Sequence, residues 1–183
     1  MATATFSTGK SAVVFKTALG WIALEVGPHG VRGLTFGHAD AAAARAAMAK
    51  TLKHLKGTSS DYEAADDDLI ADLADQLKRF AESEPVNFDD VPLDMEGLSN
   101  FQRKVLAACR RIPYGQTSTY GELAAAAGSP GAARAVGRAM ATNRWPLIVP
   151  CHRVLASGGR LGGYSARGGL ATKQRLLDME RAR

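Results

Sequence analysis

The 183-residue sequence predicts a two-domain α+β protein: a small α/β domain over residues 1–97 and a mostly helical domain over 98–183. Three observations carry that expectation. Strand and helix patterns alternate in the first half, whereas short amphipathic helices joined by Gly/Pro turns dominate the second. A turn-rich acidic stretch, Glu84 to Gly97 (EPVNFDDVPLDMEG), lies between them and reads as the linker. The charge then changes sign. Residues 1–97 hold 9 Lys/Arg against 15 Asp/Glu, a balance of −6, and residues 98–183 hold 14 against 3, a balance of +11, which together give the net +5.

Taken in order, Ser11 to Thr17, Gly20 to Val26 and Val31 to Phe36 read as strands of an antiparallel meander, with Gly27-Pro28-His29-Gly30 as a turn. Ala39 to Lys56 is alanine-rich with Met48, Leu52 and Leu55 at helical spacing. A second helix spans Asp67 to Glu82 with a stripe of Leu69, Leu73, Leu77 and Phe80, and Asp66, Asp67 and Asp68 favour its positive end. Beyond the linker, Ser99 caps a helix over Asn100 to Arg111 whose inner face is Phe101, Val105, Leu106 and Cys109. A turn at Ile112 to Gly115 precedes a short helix from Gly121 to Ala127. Gly128-Ser129-Pro130 then stops that helix, with Ser129 expected as the cap and Pro130 as the first position of the next, Ala132 to Thr142. The pair reads as a helix-turn-helix. Leu147 to Val149 has the look of a short buried strand.

Composition excludes several classes. With 46% hydrophobic and 22% charged residues the chain is neither disordered nor collagenous. No apolar run reaches the roughly 18 residues of a spanning helix. Met1 to Lys10 lacks the charged head and apolar core of a secretory signal, so a cytoplasmic protein without membrane contact is expected. Two cysteines, Cys109 and Cys151, build neither a disulfide framework nor a zinc knuckle, and His29, His38 and His54 have no cysteine partners, so no metal and no cofactor is expected. The basic second half favours a polyanion, a nucleic-acid backbone above all. In Ala132 to Thr142, Ala132, Ala133 and Gly137 are small enough for close approach to a groove, and Arg134 and Arg138 stand one turn apart on the same face.

Pro150-Cys151-His152-Arg153-Val154 has the character of a nucleophile site. A free thiol is only a few per cent thiolate at neutral pH, and His152 and Arg153 are the neighbours expected to raise that fraction. The glycines that follow, Gly158-Gly159 and Gly162-Gly163, suit a pocket rim. A helix-turn-helix regulator and a cysteine hydrolase remain alternatives at this point, though no effector domain and no oxyanion hole are evident.

The stretch IPYGQTSTYGELA, the helix AARAVG, Asn143, PCHRV, GGYS and GGLATKQRLLDME, in that order and spacing, resemble the O6-alkylguanine-DNA alkyltransferases (methylated-DNA–protein-cysteine methyltransferases) over about Phe101 to Glu180. The resemblance implies a ribonuclease H-like N-terminal domain and a winged helix-turn-helix-like C-terminal one. It implies direct reversal of O6-alkylguanine, with O4-alkylthymine as an open second substrate, by one irreversible transfer to Cys151 in flipped-out duplex DNA. His152 is then the base through a water, Glu180 its orienter, Asn143 the tie between recognition helix and acceptor turn, and Tyr120 the donor to the guanine ring. Tyr164 and Ser165 hold the base, the carbonyls of Cys151 and Val154 accept from its exocyclic amine, and Arg134 fills the gap in the duplex. The family pattern implies a monomer, with cooperative binding along DNA left open. Arg144 follows Asn143 where the family usually has proline and is expected to contact phosphate. Leu106 replaces the family's usual tryptophan, and Arg167 stands where many relatives have a small residue or proline. A non-enzymatic lesion-binding or regulatory protein is the alternative, but such sensors replace the acceptor cysteine that this chain keeps.

Overall fold

The computed structural model describes residues 12–53, 55 and 67–182. Readings at Met1 to Ser11, His54, Lys56 and Asp66 lie outside the described residues. The described chain divides into two compact units, one running through Val86 together with Asp90–Glu96, the other comprising Asn87–Asp89 and the chain from Gly97 onward.

The first unit is built on an antiparallel meander of β1 (Ala12–Thr17), β2 (Gly20–Gly27) and β3 (Gly30–His38), in that spatial order. The central strand β2 is buried from Ile22 onward because it has a neighbour along each edge and helices to cover it. Helix α1 (Ala41–Leu52) packs on all three strands, and Ala44 and Met48 meet Val14 of β1 and Ala23 of β2. It starts two residues later than expected because Asp40 caps it, its carboxylate accepting from Ala43 N–H at 2.8 Å. Helix α2 (Asp67–Ala81) buries Ile70, Leu73, Ala74, Leu77 and Phe80, so the inward stripe runs through Ile70 and leaves Leu69 half-buried.

Val31 N–H donates to the Pro92 carbonyl at 2.8 Å and Asp94 N–H to the Val31 carbonyl at 2.9 Å, so Asp90–Glu96 lies along β3. Gly30 is required there: at φ +110° a Cβ would stand 2.4 Å from the Pro92 oxygen. Beside this seam the buried Arg32 donates to Glu25 at 2.7 Å and stands 3.8 Å from Asp94.

In the second unit α3 (Asn100–Arg110) opens with a complete capping box between Ser99 and Gln102 and buries Val105, Leu106 and Cys109, with Phe101 half-buried. A two-residue strand, β4 (Ser118–Thr119), runs into α4 (Tyr120–Ala126), which Thr119 and Glu122 cap in the same way. Helix α5 (Ala133–Ala141) follows, and α3, α4 and α5 pack together as a helix-turn-helix with a supporting helix.

Two local expectations fail. Ser129 does not cap α5 and Pro130 is not its first residue: Gly128 and Gly131 both take positive φ, Ala132 N–H closes a turn on the Ser129 carbonyl, and the helix begins after it. Leu147 to Val149 is buried but is not a strand. The Asn143 side chain takes the Val149 carbonyl, and Val149 N–H turns back to the Trp145 carbonyl at 2.7 Å. Next come a 3₁₀ turn, Cys151–Arg153, and β5 (Val154–Leu155), which pairs in parallel with β4. Helix α6 (Gly169–Arg181) packs on that 3₁₀ turn. Among the described residues no helix is long and apolar enough to cross a membrane.

Candidate active site

The pairing of β5 with β4 brings the turn carrying Cys151 beside the start of α4, so Cys151 and Tyr120 come to share one cavity. The cavity holds about 200 Å³ and is lined by Tyr120, Gly137, Met140, Ala141, Cys151, Gly163, Tyr164 and Ser165. Gly162 keeps its wall thin: a Cβ there, at φ +66°, would stand 3.0 Å from the Tyr120 ring. The Tyr120 hydroxyl points to the Gly163 carbonyl at 3.4 Å, and that of Tyr164 is buried without a hydrogen-bond partner among the described residues. Gly137, expected on the groove-facing surface, lines the cavity, and a Cβ on it would meet nothing within 4 Å. Arg134 and Arg138 are exposed on α5, while Ala132 and Ala133 are half-buried at its start.

Behind the cavity lies a buried charge cluster. His152 Nε2 is 2.8 Å from Glu180 Oε1. Arg153 grips the same carboxylate through Nε and Nη2 at 2.9 Å each, and Gly115 N–H adds a bond at 3.0 Å. The other arm of Arg153 donates to the Ile112 carbonyl at 2.6 Å, and its guanidinium lies 5.7 Å from the Tyr114 ring centre. Burial opposes ionisation of Glu180, but the hydrogen bonds from His152 and Arg153 outweigh it and hold the carboxyl at about 2. Burial pushes the imidazole of His152 below its ordinary value, only partly offset by Glu180, so it is neutral at pH 7. With Glu180 ionised, Nε2 carries the proton and Nδ1 the lone pair.

The thiol itself departs from expectation. The side chains of His152 and Arg153 bond Glu180, and the larger lowering effects on the resting thiol come from Asn143 and Lys173. Burial, which leaves Cys151 only 6% exposed, dominates and raises its pKa; a hydrogen bond from the Asn143 side chain and the charge of Lys173 act against it. The resting form is the thiol.

Lys173 went unnoticed in the sequence. It is fully buried, donates to the Val154 carbonyl at 2.5 Å and the Gly163 carbonyl at 3.3 Å, and lies 5.9 Å from the Tyr120 ring centre. A signal was present: Lys173, Leu176, Leu177 and Glu180 fall at i, i+3, i+4 and i+7, an inward stripe with a charge at each end. The carbonyls expected to read an exocyclic amine are already engaged, Val154 by Lys173 and Cys151 by the Val154 N–H, which leaves each one lone pair.

Comparison with known proteins places this arrangement. Residues 100–182 match the family described as 6-O-methylguanine DNA methyltransferase, DNA binding domain. A methylated-DNA–protein-cysteine methyltransferase of Mycolicibacterium paratuberculosis is 49% identical over 112 residues, covering 61% of this chain and 66% of the relative. One from Methanopyrus kandleri is 46% identical over 110 residues, covering 60% of this chain and 79% of the relative. The chain thus spans just under two thirds of the first of these curated relatives. The crystal structure of Mycobacterium tuberculosis OGT in complex with DNA superposes with a TM-score of 0.69 at 34% identity, over 92% of this chain and 91% of that one. With similarity at this level across both units, the chain belongs to the O6-methylguanine-DNA methyltransferase family.

Proposed function

We propose that this protein reverses alkylation at guanine O6 in duplex DNA by one irreversible transfer of the alkyl group to Cys151. The observation that carries the reading is the placement of the Cys151 thiol in a cavity wall with Tyr120, Tyr164 and Ser165, directly before a histidine held by an ionised Glu180. The basic balance of the second half, the exposed arginines of α5, and the solved relative in complex with DNA support a duplex as partner.

A thiol cannot reach O6 inside a stacked pair, so the nucleotide must leave the helix, at a cost of a few kcal/mol. Helix α5 enters the minor groove, where readout is nearly independent of sequence, and Arg134 fills the gap. Tyr164 and Ser165 receive the base. His152 Nδ1 takes the Cys151 proton through a water, and Glu180 holds the imidazole in the tautomer that can accept it. Sγ then attacks the alkyl carbon, the C–O6 bond breaks, its electron pair passes to the purine, and Tyr120 supplies the proton that neutralises the ring. Tyr120 recovers its proton from the one His152 removed. Thiol and alkylated guanine become thioether and guanine, with nothing added or left over. Asn143 and Lys173 stabilise the thiolate as it forms, which burial otherwise opposes.

The test is transfer of labelled methyl from O6-methylguanine duplex, followed by peptide mass spectrometry. One increment of about 14 Da at Cys151, with a stoichiometric plateau, is expected. Binding without label would replace the reading with a lesion sensor, and continuous turnover with a hydrolase.

A further inference from the structure

Between α5 and Cys151 the chain makes a turn without regular secondary structure, and its geometry is demanding. Leu147 sits at φ +74°, a left-handed conformation that leucine keeps only where its surroundings impose it. The Asn143 amide supplies part of the restraint: Oδ1 accepts from Trp145 N–H at 3.0 Å, and Nδ2 donates to the Val149 carbonyl at 2.9 Å. Asn143 is therefore fixed by wherever Trp145 sits. Trp145 is fully buried, and the guanidinium of Arg144 lies over its ring, 4.6 Å from the centroid. A flat, delocalised cation at that separation is held by the ring's quadrupole. Arg144 is half-buried, in contrast to the exposed Arg134 and Arg138, as befits a group that uses its face on protein.

We propose that Arg144 is a positioning residue for the acceptor: stacked on Trp145, it clamps the turn that carries Asn143 to Cys151, and it is not a phosphate contact. The inference deepens the repair reading and rests on it only for the identity of the substrate. The chain of restraint runs from the guanidinium to the indole, from the indole's backbone N–H to the Asn143 amide, and from that amide to the sulfur. Releasing the first link leaves a strained turn free to relax and withdraws Asn143 from the thiol.

The experiment compares wild type with Arg144→Ala and Arg144→Lys in three measurements: the pH profile of Cys151 alkylation by iodoacetamide, followed by peptide mass spectrometry; the rate with free O6-benzylguanine; and the salt dependence of duplex binding. Arg144→Ala is expected to slow both thiol reactions about tenfold and move the midpoint of the iodoacetamide profile upward, because Asn143 no longer favours the thiolate. Arg144→Lys, which keeps a cation over the indole, should recover part of the rate and of the midpoint. Lys173, Tyr120, Tyr164, Cys109 and His152, the other titratable groups around the sulfur, are untouched by either change. The slope of binding against salt should stay as in wild type. An unchanged thiol profile together with a slope reduced by about 0.9, the loss of one phosphate contact, overturns the proposal. Should Arg144→Ala fail to fold, Arg144→Gln keeps the stem and removes only the cation, and is read by the same criteria. Iodoacetamide needs no repair activity, so a wild type that ignores alkylguanine yet shows the Arg144 effect sinks the repair reading and spares the clamp.

Discussion

Each unit of this protein buries an arginine against carboxylates, and the two clusters behave differently. In the first, Glu25 receives one bond from Arg32, and burial wins: the carboxyl is pushed above its ordinary value. In the second, Glu180 accepts from His152, Arg153 and Gly115, and the donors win, bringing it to about 2. The lesson is that the count of donors, not the presence of an arginine, decides in which direction the pKa of a buried carboxyl moves. A carboxylate whose pKa is lowered can set the tautomer of a neighbouring histidine, and in the second cluster that histidine is His152.

Five measurements sharpen or break that contrast, the largest effect first. Cys151→Ala should abolish alkyl transfer while leaving duplex affinity close to wild type, which fluorescence anisotropy on a labelled duplex checks; a variant that still accepts label disproves the nucleophile. Glu180→Gln should slow transfer about 10²-fold and lower stability by about 3 kcal/mol, because it faces Arg153 and His152 with a neutral amide. Its counterpart Glu25→Gln should change stability by about 1 kcal/mol or less and leave the transfer rate of folded protein untouched. Equal rate losses in the two would mean that the clusters are not distinct in role.

Acid should separate the units. Glu180 has a folded value of about 2 against an ordinary 4.5, so its contribution is present above 4.5 and is lost as pH falls from there towards 2, amounting to about 3 kcal/mol. His152, depressed by burial, acts in the same direction from its ordinary 6.5 downward. Glu25 has the opposite sign: its folded value is raised, so what it contributes is present below 4.5 and lost as pH rises through that raised value. Amide resonances of Leu176 and Val154 should therefore lose native dispersion at higher pH than those of Ile22 and Leu24. The reverse order would contradict the donor count as the deciding factor. The last measurement concerns the exposed surface, where neither cluster reaches. Arg134→Ala should slow repair in duplex about tenfold yet leave the rate with free O6-benzylguanine unchanged, since only the duplex needs its gap filled.

Much of this was legible in the residues alone, and the exceptions share a cause. Ser99 with Gln102, the stripe of Val105, Leu106 and Cys109, and the glycine turn between β2 and β3 are local patterns, and local patterns are read from sequence. Cys151, His152, Glu180 and Asn143 follow from the resemblance, and the fold brings the first three together around the 3₁₀ turn, with Asn143 bonded to Val149 just before it. What escaped depends on which group takes a hydrogen bond first. An apolar run such as Leu147 to Val149 looks like a strand until the side chain of Asn143, six residues before Val149, claims the Val149 carbonyl. Arg153 two residues from a cysteine looks like its activator until a glutamate 27 positions on takes its Nε and Nη2 and the Ile112 carbonyl its Nη1. The direction of the thiol's pKa is a property of burial, and burial is not written in any short segment.

The depth at which Cys151 is set bears on how long an unused copy keeps its worth. Peroxides and stray electrophiles react with thiolates, and a sulfur kept protonated inside the protein offers them little to attack. Under the proposed single transfer to Cys151, the same shielding that makes the chemical step harder preserves the reserve of intact molecules.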